Sequence, residues 1–218
     1  MTNKTFEQGK FITIEGSEGA GKSTAIQYLR SLLANSATDV IFTREPGGTA
    51  MAEEIRNVLL YPKSDEVMNP ETELLLMFAG RAQHLHHCIL PALQTGKWVV
   101  SDRYVDASYA YQGGGRGLSM QFIQALDNMV VGRYYPDLTL LLDVPAALGF
   151  TRTEKRSAPR DRIEQEKLDF FERVRQVYLD RAKADPKRIK IIDASQSLDA
   201  VQTQIGDVLK QFFSSGLS

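Results

Sequence analysis

The sequence predicts an α/β fold: a five-stranded parallel sheet between two layers of helices, in three layers, with a short basic lid. Three observations carry this. Five short runs of β-branched and aliphatic residues recur along the chain. The stretches between them are long enough for helices and place apolar residues at helical spacing. The first run passes through a glycine-rich turn directly into the first helical pattern. Strands alternating with helices make a mostly parallel sheet covered on both faces, with right-handed crossovers.

Taken in order, residues 1–9 are polar and read as a flexible tail, with no apolar stretch of the kind a secretory signal needs. Strand one is Phe11–Glu15, followed by a helical pattern over residues 25–33. The second strand covers residues 40–43, and a long helix, apolar on more than one face, covers residues 71–93. Strand three spans residues 98–101 and strand four residues 138–144, with a helix over residues 120–131 between them. A helix over residues 167–184, a fifth strand at residues 189–192 and a last helix over residues 200–213 complete the series. Two segments break the alternation. Gln112–Gly117 reads Gln-Gly-Gly-Gly-Arg-Gly, a loop with little intrinsic stiffness. Residues 152–164 hold Arg152, Lys155, Arg156, Arg160 and Arg162 around Pro159, a lid segment whose bland alternative is a solvated basic loop. The whole is read as one domain, residues 1–218.

Composition bounds the function. The chain has 218 residues, 43% hydrophobic and 24% charged, with a net charge of −1. That is ordinary for a soluble folded domain, and the neutral balance argues against a nucleic-acid or acidic-membrane binder. Cys88 stands alone, which excludes an internal disulfide and a multi-cysteine zinc site and suits a reducing cytoplasm. No apolar run approaches the ~18 residues of a membrane span.

Gly16-Ser17-Glu18-Gly19-Ala20-Gly21-Lys22-Ser23, followed by Thr24, fits the G-x-x-x-x-G-K-[ST] pattern between a strand and a helix. Glycines let backbone N–H groups turn inward around a phosphate, and the helix N-terminus adds positive charge. Lys22 can bridge the β- and γ-phosphates of a nucleoside triphosphate, and the Ser23 hydroxyl can ligate Mg²⁺. These features place the fold among P-loop NTPases. An Asn-Lys-x-Asp guanine reader is absent, and so is the Leu-Ser-Gly-Gly signature of transport ATPases. A nucleotide kinase needs cations for an acceptor phosphate and a mobile basic lid. Asp102-Arg103-Tyr104 follows the third strand, at the carboxyl edge where such sheets bind ligands. Asp102 can hold Mg²⁺ through water, and Arg103 can clamp a phosphate. Arg44-Glu45-Pro46-Gly47-Gly48-Thr49 ends the second strand and allows close approach of a ligand.

Together with Tyr111-Gln-Gly-Gly-Gly-Arg-Gly and Asp161-Arg-Ile-Glu-Gln-Glu, these motifs resemble bacterial-type thymidylate kinases from about Phe11 to Phe213. The resemblance implies transfer of the γ-phosphoryl of ATP to dTMP, with Mg²⁺, in a homodimer. It implies that Lys22 and the loop backbone hold the ATP phosphates and that Ser23 and Asp102 serve the metal. Arg103 and Arg56 would position the acceptor phosphate, beside Arg44, Glu45 and Pro46. It further implies Phe78 stacked on thymine, Arg81 on a base carbonyl, and Ser108, Tyr111 and Gln112 around the sugar and base. On residue type alone, core packing is the stronger reading of Phe78, and a solvated helix face is the alternative for Arg56. Glu18 would face the sugar hydroxyl, and Asp161 and Glu164 the acceptor side of the lid. Gly19 stands where some relatives carry a catalytic arginine, so the lid must supply it. Arg156 aligns best, with Arg152 and Arg160 as alternatives. The turn Ala194-Ser195-Gln196 is a candidate neighbour of adenine. His84, His86, His87 and Cys88 have a spacing that could bind metal, but a kinase of this kind requires no such site. A nucleoside acceptor is disfavoured by Arg56 and Arg103. A catalytically dead module would have lost Lys22, Ser23, Asp102 or the lid arginines.

Overall fold

The computed structural model describes residues 9–34, 39–63, 66–154 and 161–215. The expected tail, Gly9 apart, and the lid residues Lys155, Arg156 and Arg160 lie outside them.

All five expected strands are present: β1 Phe11–Glu15, β2 Val40–Arg44, β3 Trp98–Asp102, β4 Leu138–Asp143 and β5 Ile189–Asp193. They form one parallel sheet in the order β2-β3-β1-β4-β5. β1 is central and buried along its whole length. Its run Phe-Ile-Thr-Ile-Glu therefore packs on both faces, and Thr13 satisfies its hydroxyl against Thr139 of β4 at 2.7 Å. From β1 the chain moves toward β2 and β3, then returns past β1 to β4 and β5. The carboxyl ends of β1 and β3 thus meet at the reversal, where open α/β sheets bind ligands.

One helical layer contains α1 (Lys22–Leu33) and α9 (Leu198–Ser215), whose apolar stripes close over β1, β4 and β5 through Leu29, Leu140, Ile205 and Leu209. The other contains α3 (Pro70–His84), α6 (Met120–Val130) and α8 (Leu168–Ala184). α2 (Ala50–Leu60) packs on α3 and is capped by Thr49, whose hydroxyl accepts from the Ala52 N–H. Short helices α4 (Leu90–Gln94), α5 (Val105–Ser108) and α7 (Ala146–Glu154) fill the connections.

Three expectations are corrected. The 71–93 helix begins at Pro70 under an Asn69 cap and widens into a π-helical segment, Leu85–Ile89, before α4. Pro91 has no N–H to continue the α-helical ladder, and a π turn accommodates the break. Leu75 on this helix is 58% exposed. The glycine-rich stretch is not a loop. It continues α5 as a second π-helical segment, Tyr109–Gly115. Its glycines are packing residues: a Cβ on Gly114 would lie 2.8 Å from the Arg173 carbonyl oxygen, and one on Gly115 would lie 2.4 Å from the Phe170 ring. α8 can approach this closely only because no side chain intervenes. Third, the lid segment starts inside α7, which carries Arg152.

α7 sits against the phosphate loop through a pair of glycines. A Cβ on Gly149 would meet the Glu18 carbonyl oxygen at 2.4 Å, and one on Gly19 the Gly149 carbonyl oxygen at 2.1 Å. Both contacts are to backbone, which cannot rotate away. Gly149→Ala is therefore expected to cost about 1–3 kcal/mol of stability through overpacking, read as a lower urea midpoint at unchanged m-value.

Candidate active site

The carboxyl edge of the sheet opens into a cavity of about 600 Å³. Every strand ends there in a charged residue: Glu15, Arg44, Asp102, Asp143 and Asp193. What each is paired with decides its use. Asp143 is neutralised by a two-pronged contact from Arg175 at 2.7 and 2.9 Å. Asp193 holds the next turn through the Ser195 N–H and hydroxyl and the Gln196 amide. The fully buried Glu15 accepts from the Tyr104 N–H and the Tyr178 hydroxyl, each at 2.7 Å. Burial and nearby Asp106 raise its pKa well above the usual carboxylate range. Asp102 alone of these keeps a buried carboxylate oxygen, Oδ1, without a hydrogen-bond partner in the protein, and it lines the cavity.

The phosphate loop curls through positive φ at Gly16, Gly19 and Gly21. Gly21 precedes α1 without a side-chain cap, so the first-turn N–H groups stay available for an anion. Lys22 Nζ donates to the Gly16 and Ser17 carbonyls at 3.2 and 3.1 Å, folded back over the loop. Burial and the neighbouring Arg103 lower its pKa. Ser23 and Thr24 line the cavity, whereas Gly16 and the buried Ser17 form the loop's inner turn.

Arg103 is the one described non-glycine residue with positive φ, at 70°. Such a backbone costs about 1–3 kcal/mol and persists where its surroundings fix it. Here the Arg103 N–H donates to the Ile14 carbonyl and the Ser101 hydroxyl to the Arg103 carbonyl. The guanidinium is thereby delivered over the loop, donating to Gly16 O at 3.1 Å and to Glu18 at 2.6 Å. It lies 4.6 Å above the Tyr111 ring, whose hydroxyl also donates to Glu18. Glu18 thus turns from the phosphate loop toward Arg103 and Tyr111.

A second cluster lines the far wall. Arg81 is buried and donates to Glu45 at 2.8 Å, to the Ser108 hydroxyl at 2.9 Å and to the Tyr104 carbonyl at 3.0 Å. Glu45 in turn binds His84 Nδ1 at 2.9 Å, and His84 Nε2 meets the Thr43 hydroxyl at 2.7 Å. Pro46 follows through a cis peptide bond, and its carbonyl accepts from Arg56 at 2.8 Å. Arg44 pairs with Glu53 at 2.9 Å. Gln112 is held by Glu73 at 2.8 Å. Phe78 does not line the cavity. It belongs to the core beneath α3 with Leu74 and Leu85, its ring 4.7 Å from the Arg81 guanidinium, which it supports from behind. Met77, four residues before Arg81, takes the cavity-facing position.

At the remaining end, Arg152 donates to the Ala194 carbonyl at 2.9 Å and the Gly19 carbonyl at 3.4 Å. Ala194 and Gln196 line the cavity there with Leu198, Val201 and Ile205. Past the lid, Asp161 Oδ1 accepts from the Ile163 and Glu164 N–H groups at 2.9 Å, while Glu164 accepts from the Asp161 N–H at 3.2 Å. Arg156, the leading lid candidate, lies outside the described residues, as does Arg160. Every other predicted site residue apart from Gly16, Ser17, Phe78 and Ser195 lines this one cavity. Sequence reasoning missed Met77, Glu73, Glu15, Tyr178 and the α9 wall. Only Met77 left a signal, its i, i+4 spacing from Arg81.

Among the described residues no cluster of His, Cys, Asp or Glu suits a metal. His84 instead serves Glu45, while His86 and His87 are exposed. Burial disfavours the charged imidazole, but hydrogen bonds to Cys88 and Glu45 outweigh it and raise its pKa to about 9. A raised folded-state pKa means a stabilisation complete below the unfolded value near 6.5 and lost as pH climbs through 9. The stability gap between wild type and His84→Gln is therefore expected to reach roughly 3 kcal/mol at pH 6 and shrink by pH 9.5, measured by denaturant melts across that range.

The family model for thymidylate kinase matches residues 14–205. The thymidylate kinase of Pseudomonas putida (strain W619) is 55% identical over 199 residues, covering 91% of this chain and 95% of that one. That of Vesicomyosocius okutanii is 54% identical over 204 residues, covering 94% and 98%. A crystal structure of thymidylate kinase from Ehrlichia chaffeensis superposes with a TM-score of 0.75 at 32% identity, covering 93% of this chain and 99% of that one. With the fold, the phosphate loop and the two-ended cavity agreeing, the chain belongs to the thymidylate kinase family.

Proposed function

We propose that the cavity transfers the γ-phosphoryl of ATP to dTMP, giving ADP and dTDP, with its two ends dividing donor from acceptor. Family membership supplies the reaction. The observation that supports this use of the cavity is its two ends: a phosphate loop open toward α9 on one side, and a buried arginine–amide wall on the other, with Arg103 between them.

Phosphoryl transfer asks for alignment and charge neutralisation rather than covalent help. The donor phosphates lie in the loop, where the uncapped first turn of α1 offers its N–H groups and Lys22 moves off the Gly16 and Ser17 carbonyls onto the anion. The adenine end is bounded by Arg152, Ala194 and α9, which favours adenine packing over catalysis as the role of Arg152. Arg103 and Arg56 hold the acceptor phosphate, near Arg44 and Pro46. Glu18 and Tyr111 meet the deoxyribose, and the Tyr111 ring occupies space a ribose 2′-hydroxyl would need. Met77 covers the pyrimidine face in place of Phe78, while Arg81, Ser108 and Gln112 read its edge. Asp161 and Glu164 fix the lid's return.

The donor set fits Mg²⁺. The unpartnered Oδ1 of Asp102 lies on the cavity wall with the Ser23 hydroxyl, and hard oxygens of this kind suit that ion. When bound, Mg²⁺ supplies charge neutralisation at the phosphates. The chain is also proposed to work as a homodimer in the cytoplasm. Leu75 on α3 and Phe122 and Met129 on the adjoining α6 are 58%, 64% and 74% exposed, unusual for large apolar residues unless a second copy covers them. No described helix is long and apolar enough to cross a membrane.

Initial rates of ADP release across a panel of nucleoside monophosphates test the reading. dTMP is expected to give the highest kcat/KM, and thymidine without its phosphate to be a poor acceptor. A preference for another mononucleotide would sink it. The loop carries Gly19 where a catalytic arginine can stand, so the lid must meet the charge of the transferring phosphoryl. Arg156→Ala is expected to lower kcat by about 10² to 10⁴ with little change in KM for dTMP, whereas Lys155→Ala changes little. Loss of kcat in Arg160→Ala instead would move the role to that residue.

A further inference from the structure

Gln112 belongs to the cavity wall, yet its amide is fully buried. Its Nε2 donates to Glu73 Oε1 at 2.8 Å, while its Oε1 is a buried acceptor without a partner in the protein. Leaving such an oxygen unsatisfied is costly unless a ligand brings a donor to it.

An amide can turn end for end, so its neighbours decide which end faces the ligand. Glu73 decides it here. Its carboxylate is 1% exposed and also receives Arg162 at 2.6 Å and Arg116 at 3.2 Å. Burial alone would raise its pKa, but Arg116, Gln112 and Arg162 outweigh burial and lower it. An ionised carboxylate only accepts, so it can hold only the NH₂ end of Gln112. Arg81 is the complementary neighbour. It only donates, and Glu45, Ser108 and the Tyr104 carbonyl fix it in place. The wall therefore offers a donor at Arg81 and an acceptor at Gln112. A pyrimidine with a 4-oxo group beside a ring N–H, as in thymine or uracil, complements that order. Cytosine, with a 4-amino group beside a bare ring nitrogen, presents the reverse.

We propose that Glu73, which does not itself line the cavity, is a positioning residue for base specificity: by holding Gln112 Nε2 it keeps Oε1 as the acceptor and so selects 4-oxo over 4-amino pyrimidine nucleotides. This rests on the reading that the cavity takes dTMP.

The test compares kcat/KM for dTMP, dUMP and dCMP in wild type, Glu73→Gln and Glu73→Asp. A glutamine at position 73 donates as well as accepts and so permits Gln112 to turn. The dTMP:dCMP ratio is expected to fall about tenfold or more, while dTMP:dUMP stays within about twofold because the two bases share the recognised edge. General loosening from the lost Arg116 and Arg162 contacts would lower both ratios together, and that result overturns the proposal, as does an unchanged dTMP:dCMP ratio. If Glu73→Gln does not fold, Glu73→Asp carries the test. Its shorter acid retreats from Nε2 without losing charge, and the dTMP:dCMP ratio is expected to fall by about threefold with dTMP:dUMP unmoved; no fall overturns the proposal. A wild type that uses dTMP and dCMP equally would instead overturn the assignment of the cavity.

Discussion

The buried carboxyl group of Glu15 is the interaction on which the site depends. It stands at the end of the central strand, immediately before the phosphate loop, and accepts from the backbone of Tyr104 and the hydroxyl of Tyr178. Through those two bonds it joins β1 to the turn after β3 and to α8. The turn after β3 is the one that holds Arg103 in a left-handed backbone conformation, so a carboxyl on one strand fixes the strained residue on the next. Arg103 then reaches both the loop's Gly16 carbonyl and Glu18. Donor and acceptor machinery are thus registered to each other through backbone rather than through flexible side chains, as positional catalysis requires.

The same economy recurs deeper in the molecule. Three buried acids, Glu45, Glu73 and Asp106, each gather two cationic partners from other elements. Glu45 joins Arg81 and His84; Glu73 joins Arg116 and Arg162; Asp106 joins Arg181 and Arg188. A buried acid of this kind is a poor source of net stability, because desolvation offsets much of the Coulombic gain. Its value lies in fixing direction. Arg81 cannot swing away from the wall without stranding Glu45, and Arg162 ties the chain beyond the lid back to α3. Asp106 performs the same service for α8 and β5 away from the cavity.

Glycine has two distinct duties here. In the phosphate loop it supplies positive φ, which a Cβ resists. At Gly114, Gly115 and Gly149 it supplies nearness, allowing α8 to press on the π-helical segment and α7 to press on the loop. The second duty brings Tyr111 and Gln112 to the cavity on a rigid helix instead of a mobile loop.

The sequence by itself determined a good deal. Local hydrophobic runs and one strand–turn–helix motif were enough for the five strands, the phosphate loop and the kinase class, because period and turn chemistry act over a few residues. Asp102, Arg103 and Glu45 were legible because strand ends in such a sheet face the ligand. What escaped was whatever depends on which face of a helix meets which neighbour. Phe78 and Met77 are adjacent in the chain, and only the packing of α3 into the cluster that holds Phe11, Val99 and Val105 sends one to the core and the other to the cavity. The glycine run looked like a loop because its close contacts with Arg173 and Phe170 come from residues far along the chain. Glu73 gave no local sign at all, since its partners Gln112, Arg116 and Arg162 lie 39 or more residues away and are brought together only when α3, the π-helical segment and the lid's return converge.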